Sequence, residues 1–269
     1  MLPVLFIYHK DCYDGFGAAW VHRRANMDLQ NVKYFPAAYQ TEPPWDLVKG
    51  SLVILADFSY KRPVLEEIKK LSERLVIYDH HKTAQEDLEG FPDAHFDMNR
   101  SGAGMLADLF NDRNWLVDAI EDRDLWRFKH YGTKAIVASL SVIPFEFDAW
   151  NRFFVDGYDD ALARGGGILL YIRNFGKKAW EHRRLETIAG FVFPVINIPY
   201  MNCSDHLDQL MELEKWDRAA SFFQRGDGYW QFSLRSRGEF DVSAIAKKFG
   251  GGGHKNAAGF EVVQLPWKQ

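Results

Sequence analysis

Two periods of apolar and polar residues run along this chain, and the short one comes first. Residues 2–8, 32–36, 51–56 and 75–78 are runs of Val, Ile, Leu, Phe and Tyr closed by charged or turn-forming residues. Runs this short and this apolar fit strands of a parallel sheet covered on both faces. Helical periodicity lies between them. Gly15-Phe16-Gly17-Ala18-Ala19-Trp20 opens a helix that reaches about Ala25, its small residues allowing a close start against the sheet. Pro63 suits a first helical position, with Val64, Leu65, Ile68 and Leu71 on one face. Glu42-Pro43-Pro44-Trp45 reads as a loop and residues 46–49 as a short turn or helix. This alternation of strand and helix predicts a parallel sheet with helices on both faces.

Residues 90–99 read as irregular. Arg100-Ser101-Gly102-Ala103-Gly104 leads into a helix whose apolar face carries Met105, Leu106, Leu109 and Phe110. A Ser and two Gly at a helix start can offer N–H groups to an anion, or Ser101 can simply cap the helix. Residues 115–122 form a further helix. Residues 145–163 are helical with an aromatic stripe (Phe145, Phe147, Trp150, Phe153, Phe154, Tyr158) that reads as core, and Gly165-Gly166-Gly167 breaks or loosens it. Residues 168–189 then read as one long amphipathic helix, Lys177, Lys178, Arg183 and Arg184 marking its solvated face. The remainder alternates again, with strands at 191–198, 219–224 and 229–235 and helices at 204–213 and 241–249. Four glycines, Gly250 to Gly253, follow.

Chemistry sits where the strands end. The first run delivers His9, Asp11, Cys12 and Asp14, the third Asp57, the fourth Asp79-His80-His81, and Asp122 and Asp124 close a later helix. In open α/β sheets the carboxyl ends of the strands are where ligands bind. Carboxylates with a few imidazoles at such ends read as an oxygen-rich metal site, which favours Mn²⁺ or Mg²⁺ over thiolate-loving ions. Asp57, alone at its strand exit, is the candidate to bridge two ions. The glycine run can close its N–H groups around phosphate as an anion nest, with Arg235, Arg237 and His254 nearby in sequence to add charge or hydrogen bonds.

Composition narrows the classes. The 269 residues suffice for two modest domains or one large one, and 47% hydrophobic with 26% charged is ordinary globular usage. A net charge of −4 argues against coating long nucleic acid nonspecifically. Two cysteines, Cys12 and Cys203, make no disulfide framework, so a reducing compartment is expected. The first apolar run has no basic segment before it and no stretch has the length of a membrane span. A cytoplasmic protein with no membrane association is the expectation.

The ordered clusters ending in Asp79-His80-His81, with the C-terminal Gly250-Gly251-Gly252-Gly253-His254-Lys255-Asn256-Ala257-Ala258-Gly259-Phe260, resemble the DHH/DHHA1 phosphoesterase superfamily. The two motif sets bracket almost the whole chain. The resemblance implies an α/β architecture: a DHH catalytic, metal-binding domain at 1–165, a linker helix at 166–189 and a smaller DHHA1 domain with a mixed sheet at 190–269. It implies metal ligation by His9, Asp14, Asp57, His80 and Asp122. Asp122 is preferred to Asp124 because family members place an aromatic four residues after the ligand, and Trp126 stands there. His81 is left to touch substrate phosphate, so Asp57, His80 and His81 form the catalytic group, while Asp79 orients a histidine. The family commonly has a carboxylate where this chain has Cys12; Cys12 itself, Asp11, or His9 with Asp57 and water then completes the first metal position. Substrate contacts fall to Arg100, Ser101, Arg235, Gly251, Gly252, Gly253 and His254.

Together these imply a metal-dependent phosphoesterase that uses two divalent cations, Mn²⁺ before Mg²⁺. Its substrate would be a small nucleotide or a short single strand, as for an exonuclease or phosphodiesterase. A pyrophosphatase or exopolyphosphatase shares the same N-terminal chemistry, and a nucleotide-binding protein with a decayed metal site is the non-catalytic rival. No stable protein partner is implied, and a homodimer is compatible with the sequence.

Overall fold

Leu5 and Ile7 pack on one side of the first strand and Phe6 and Tyr8 on the other, and all four are buried. That is the period of two expected of a strand covered on both faces. In the computed structural model, which describes residues 2–39, 41–200 and 203–268, two compact units appear, one reaching to Ile168 and one starting at Leu169.

The first unit runs β1 (Val4–His9), α1 (Tyr13–Ala25), β2 (Val32–Ala37), α2 (Trp45–Val48), β3 (Leu52–Ala56), α3 (Arg62–Leu71), β4 (Arg74–Asp79), α4 (Lys82–Asp87) and β5 (Ala94–Phe96). Helices α5 (Gly102–Phe110), α6 (Trp115–Asp124), α7 (Thr133–Leu140) and α8 (Phe147–Asp156) follow, then α9 (Tyr158–Glu181), in which the chain passes into the second unit. The five strands are parallel, in the order β2-β1-β3-β4-β5. One face of the sheet packs on α1 and α5–α8 through Phe16, Trp20, Leu106, Ile120, Ile136, Trp150 and Phe153. The other packs on α2 and α3 through Val48, Leu65 and Ile68. Each such aliphatic side chain removed from water contributes roughly 1.5–3 kcal/mol. The aromatic stripe of α8 is core, as its spacing predicts: Trp150 and Phe153 are buried and Phe147 stacks on Phe16.

The second unit is a six-stranded mixed sheet of order β10-β11-β9-β8-β7-β6. Its elements are β6 (Arg184–Ile188), β7 (Phe191–Asn197), α10 (Cys203–Glu214), β8 (Arg218–Gln224), β9 (Trp230–Ser236), α11 (Val242–Lys248), β10 (Gly252–His254) and β11 (Ala257–Val262). Among the described residues only the β7–β8 pair of this sheet is parallel. Among them, too, no helix is long and apolar enough to cross a membrane.

Four local expectations are corrected. The stretch expected to be irregular contains β5, three residues long and too short to carry a pattern. Helix α7 occupies a segment for which the sequence suggested no element. The triple glycine does not interrupt a helix: α9 runs through it, because a Cβ on Gly165 would lie 1.8 Å from the Ala135 carbonyl oxygen, and glycine lets the two segments touch. The expected linker helix at 166–189 ends at Glu181 instead. Residues beyond it form β6, joined to β7 by Ala189-Gly190, both with positive φ (51° and 88°), the tight hairpin turn that matches strand twist.

Candidate metal centre

Because every strand of the first sheet points the same way, the ends of β1, β3 and β4 bring His9, Asp57 and Asp79 to one edge. Asp57 follows β3 with φ +55°, a left-handed conformation that Asp tolerates better than most residues, and its N–H donates to the Tyr78 carbonyl at 3.0 Å. Helix α5 comes down on this edge, and Gly102 makes that approach sterically feasible. A Cβ there would sit 2.6 Å from Asp57 Cβ and 3.1 Å from Asp14 Oδ2.

Asp57 faces two sets of groups with its two oxygens. Oδ2 lies 3.2 Å from Cys12 Sγ and 3.5 Å from His9 Nδ1. Oδ1 lies 3.1 Å from His80 Nε2 and 3.9 Å from His81 Nδ1. His80 Nε2 is also 3.4 Å from Asp124 Oδ2 and 3.7 Å from Asp14 Oδ2. Among the described residues, three groups therefore have ligand atoms close enough to hold a cation: His9–Cys12–Asp57, Asp57–His80–His81 and Asp14–His80–Asp124. Asp57 belongs to two of them.

Asp14 is held from behind. The first turn of α5 donates Gly102 N–H at 2.5 Å and Ala103 N–H at 2.9 Å to its two oxygens. The anion at this helix start is thus a carboxylate of the chain itself. Asp79 is fully buried; Oδ1 accepts the backbone N–H groups of His80 and His81 and lies 2.7 Å from His81 Nδ1, while Oδ2 accepts the Ser59 hydroxyl at 2.6 Å. That fixes the His81 ring with Nε2 pointing away from Asp79.

The electrostatics show how crowded the acids are. Burial works against a charged His80, yet its hydrogen bond with Asp57 and the charges of Asp124 and Asp14 outweigh it and push the imidazole up to about 10. Asp57, although buried, is held well below the carboxylate range by His80 and His9. Burial, followed by the charges of Asp57 and Asp124, lifts Asp14 well above that range. Asp124 is raised by desolvation and then by Asp57, against the opposing pull of His80. Burial and the same three acids push the Cys12 thiol well up. Asp14 and Asp124, both raised by burial and by the charge of Asp57, fit a divalent cation, which would supply the missing positive charge. Three carboxylates with imidazole suit Mn²⁺ or Mg²⁺.

Not every expected residue is in this cluster. Asp122 is replaced in it by Asp124. Both Asp122 oxygens are taken by the start of α7: Oδ1 accepts Lys129 N–H at 2.8 Å, and Oδ2 accepts His130 N–H at 3.0 Å and the Thr133 hydroxyl at 2.5 Å. After the opposition of burial, those bonds hold its carboxyl low. The aromatic spacing that favoured Asp122 was ambiguous, since Phe128 stands four residues after Asp124 just as Trp126 does after Asp122. Asp11, exposed with φ +53°, is in none of the three groups found among the described residues. Arg100, expected at the substrate, is engaged within the first unit. It binds Glu121 Oε2 at 2.9 Å, the Gly104 carbonyl and Asp108. Ser101 is fully buried and caps α5 by accepting Gly104 N–H at 3.1 Å.

In the second unit Arg235 donates to the Leu234 carbonyl and the Ser204 hydroxyl. The glycine run is an edge strand rather than an open nest. The N–H groups of Gly250 and Gly251 close α11 on Lys247 and Ala246, so Gly251 has none to offer a phosphate. Gly251 is glycine because a Cβ would lie 2.6 Å from Phe260 Cβ. Gly252, Gly253 and His254 form β10 and are exposed.

Two contributors escaped the sequence reading. Glu121, buried, accepts Arg100, Arg113 and the Ser101 N–H, and so locks the loop that presents α5 to Asp14. Its signal was present in Gly104, where a Cβ would fall 1.7 Å from Glu121 Oε2. Tyr39 packs on His9 with ring centroids 5.5 Å apart, and nothing in its sequence surroundings marks it.

Residues 203–267 match the DHHA1 domain family. Over 283 aligned residues the chain is 30% identical to uncharacterized protein R106 of Acanthamoeba polyphaga mimivirus; the match covers 94% of this chain and spans 66% of that relative's length. Among solved structures, an exopolyphosphatase-related protein of Bacteroides fragilis superposes with a TM-score of 0.63 at 14% identity, covering 98% of this chain and 88% of its own. The pGpG-specific phosphodiesterase PggH of Vibrio cholerae gives 0.53 at 12% identity, over 97% and 93% of the two chains. RecJ of Thermus thermophilus in complex with Mn²⁺ gives 0.52 at 14% identity, over 96% of this chain and 49% of RecJ. The DHHA1 match downstream, with a parallel sheet whose fourth strand ends in Asp79-His80-His81, agrees with the resemblance to the DHH/DHHA1 superfamily, and residues 203–267 carry the DHHA1 domain.

Proposed function

We propose that the chain is a metal-dependent phosphoesterase hydrolysing phosphodiester or phosphomonoester bonds of small nucleotides or short single strands. The observation that carries this reading is Asp57, whose two oxygens face two different ligand groups. His9, Cys12 and Asp57 would hold one cation, and Asp14, Asp57, His80 and Asp124 the other. Divalent cations bound there would supply an activated water at neutral pH and neutralise charge on the phosphoryl group. His81, whose ring is oriented by Asp79 Oδ1 2.7 Å from its Nδ1, is the candidate to contact a phosphoryl oxygen. Asp79 and Ser59 keep that ring from turning. In the second unit, Gly252, Gly253 and His254 on an exposed edge strand and Arg235 on β9 are the candidates to grip the substrate. The likeness to a phosphodiesterase and to Mn²⁺-bound RecJ supports the fold as one on which such chemistry occurs. It does not choose the substrate.

The test is turnover, with Mn²⁺ and separately Mg²⁺, of a dinucleotide, a short single strand, a bisphosphorylated adenosine, a cyclic dinucleotide, pyrophosphate and polyphosphate. Hydrolysis of one or more nucleotide esters is expected. Turnover confined to pyrophosphate or polyphosphate would replace this reading by the exopolyphosphatase one. No turnover of any member by a metal-loaded chain would favour a nucleotide-binding protein.

A further inference from the structure

The two candidate cation positions differ in chemistry. His9–Cys12–Asp57 offers imidazole, sulfur and carboxylate, whereas Asp14–His80–Asp124 with Asp57 offers one imidazole and carboxylates only. Cys12 stands at the N-cap of α1 but makes no capping hydrogen bond there; its sulfur turns to Asp57 Oδ2 at 3.2 Å. His9 reaches the same oxygen at 3.5 Å, and a Cβ on Gly15 would strike the His9 carbonyl oxygen at 2.5 Å, so glycine lets His9 and the start of α1 meet. Sulfur is therefore gathered with two other ligand atoms rather than packed as an isolated thiol.

We propose that Cys12 makes the centre chemically asymmetric: the His9–Cys12–Asp57 position takes a thiophilic divalent ion of the Zn²⁺ or Co²⁺ class, while the Asp14–His80–Asp124 position takes Mn²⁺ or Mg²⁺. This rests on the metal-dependent reading above. Nitrogen, sulfur and carboxylate together are a set that Zn²⁺ accepts at short bonds, and a thiolate donor strengthens binding of Zn²⁺ far more than of Mg²⁺ or Mn²⁺. On binding, the S–H bond breaks, the sulfur keeps its electron pair for the ion, and the proton leaves to solvent. No oxidant or reductant is involved.

The experiment uses the full chain, stripped of metal with a chelator and titrated with Co²⁺ while its near-ultraviolet absorption is followed. A thiolate-to-Co²⁺ charge-transfer band is expected, bleached when Zn²⁺ is added. The chain has two cysteines, so the band should persist in Cys203→Ser and vanish in Cys12→Ser. Zn²⁺ affinity of Cys12→Ser should fall at least about ten-fold, the usual scale for disturbing a metal site, while Mn²⁺ still binds, read by electron paramagnetic resonance. Should Cys12→Ser fail to fold by circular dichroism, persistence of the band in Cys203→Ser alone assigns the sulfur. Co²⁺ bound without any such band overturns the proposal and leaves the phosphoesterase reading standing. A band lost in Cys203→Ser also overturns it. Failure of the folded chain to bind Co²⁺, Zn²⁺ or Mn²⁺ removes the metal reading itself.

Discussion

The Thr133 hydroxyl donates to Asp122 Oδ2 at 2.5 Å, and with the Lys129 and His130 N–H groups it uses that carboxylate to start α7. Asp124, two residues on, lies 3.4 Å from His80. The pair predicts opposite outcomes for two similar substitutions. Asp124→Asn should weaken Mn²⁺ binding at least about ten-fold with little change in melting temperature. Asp122→Asn sets an amide donor against existing donors and should destabilise the fold by about 1–3 kcal/mol while Mn²⁺ still binds. Titration calorimetry and thermal melts on both variants decide it; exchanged phenotypes would put Asp122 in the centre.

Asp57→Asn should abolish turnover without unfolding the chain. Asn tolerates the left-handed backbone at this position, so the φ of +55° need not change. The loss should be at least about a hundred-fold, beyond what removing a mere orienting partner does. Near-normal kcat with an unchanged melt would remove Asp57 from the site.

Glu121→Gln should reduce stability by about 1–3 kcal/mol, since Arg100 and Arg113 lose the charge they share. The loop they hold presents Gly102 and Ala103 to Asp14, so Mn²⁺ affinity should fall as well. Arg100→Lys keeps charge but not the two-directional grip and should show a smaller loss of both. If Arg100 instead binds substrate, its variant will raise KM and leave metal affinity untouched.

Acid should weaken the first unit through His22. This imidazole is buried against Phe6 and Phe110, with Nδ1 2.9 Å from the Tyr34 hydroxyl, and burial lowers its pKa from 6.5 to about 4. Below 6.5 the unfolded chain takes up a proton that the folded one refuses. The contribution is therefore full above 6.5 and lost as pH falls towards 4, on the order of 3 kcal/mol at most. His22→Asn, which cannot take that proton, should show a shallower decline of melting temperature between pH 7 and pH 5 than the parent. Parallel declines would assign the acid sensitivity elsewhere.

Particular residues show what could be read in advance. The strand exits were legible because a parallel sheet must deliver its carboxyl ends together, whatever the details of packing. Spacing favoured Asp122 because it cannot tell a helix-starting carboxylate from one facing the cluster; the difference is Thr133, eleven residues away and on another element. Arg100 looked free for phosphate for the same reason, its partner Glu121 lying across the fold. Ala189-Gly190 turned an expected helix end into a hairpin: positive φ at two successive residues is a tertiary outcome that amphipathic charge spacing does not record.

The bonds from Gly102 and Ala103 to Asp14 have a practical consequence. Those two amide hydrogens can exchange with solvent only when α5 releases the carboxylate, so their exchange rates report how firmly one ligand is seated. An ion that draws Asp14 into a fixed geometry should slow both together. The chain thus carries its own occupancy gauge, legible by amide exchange without any substrate or any label.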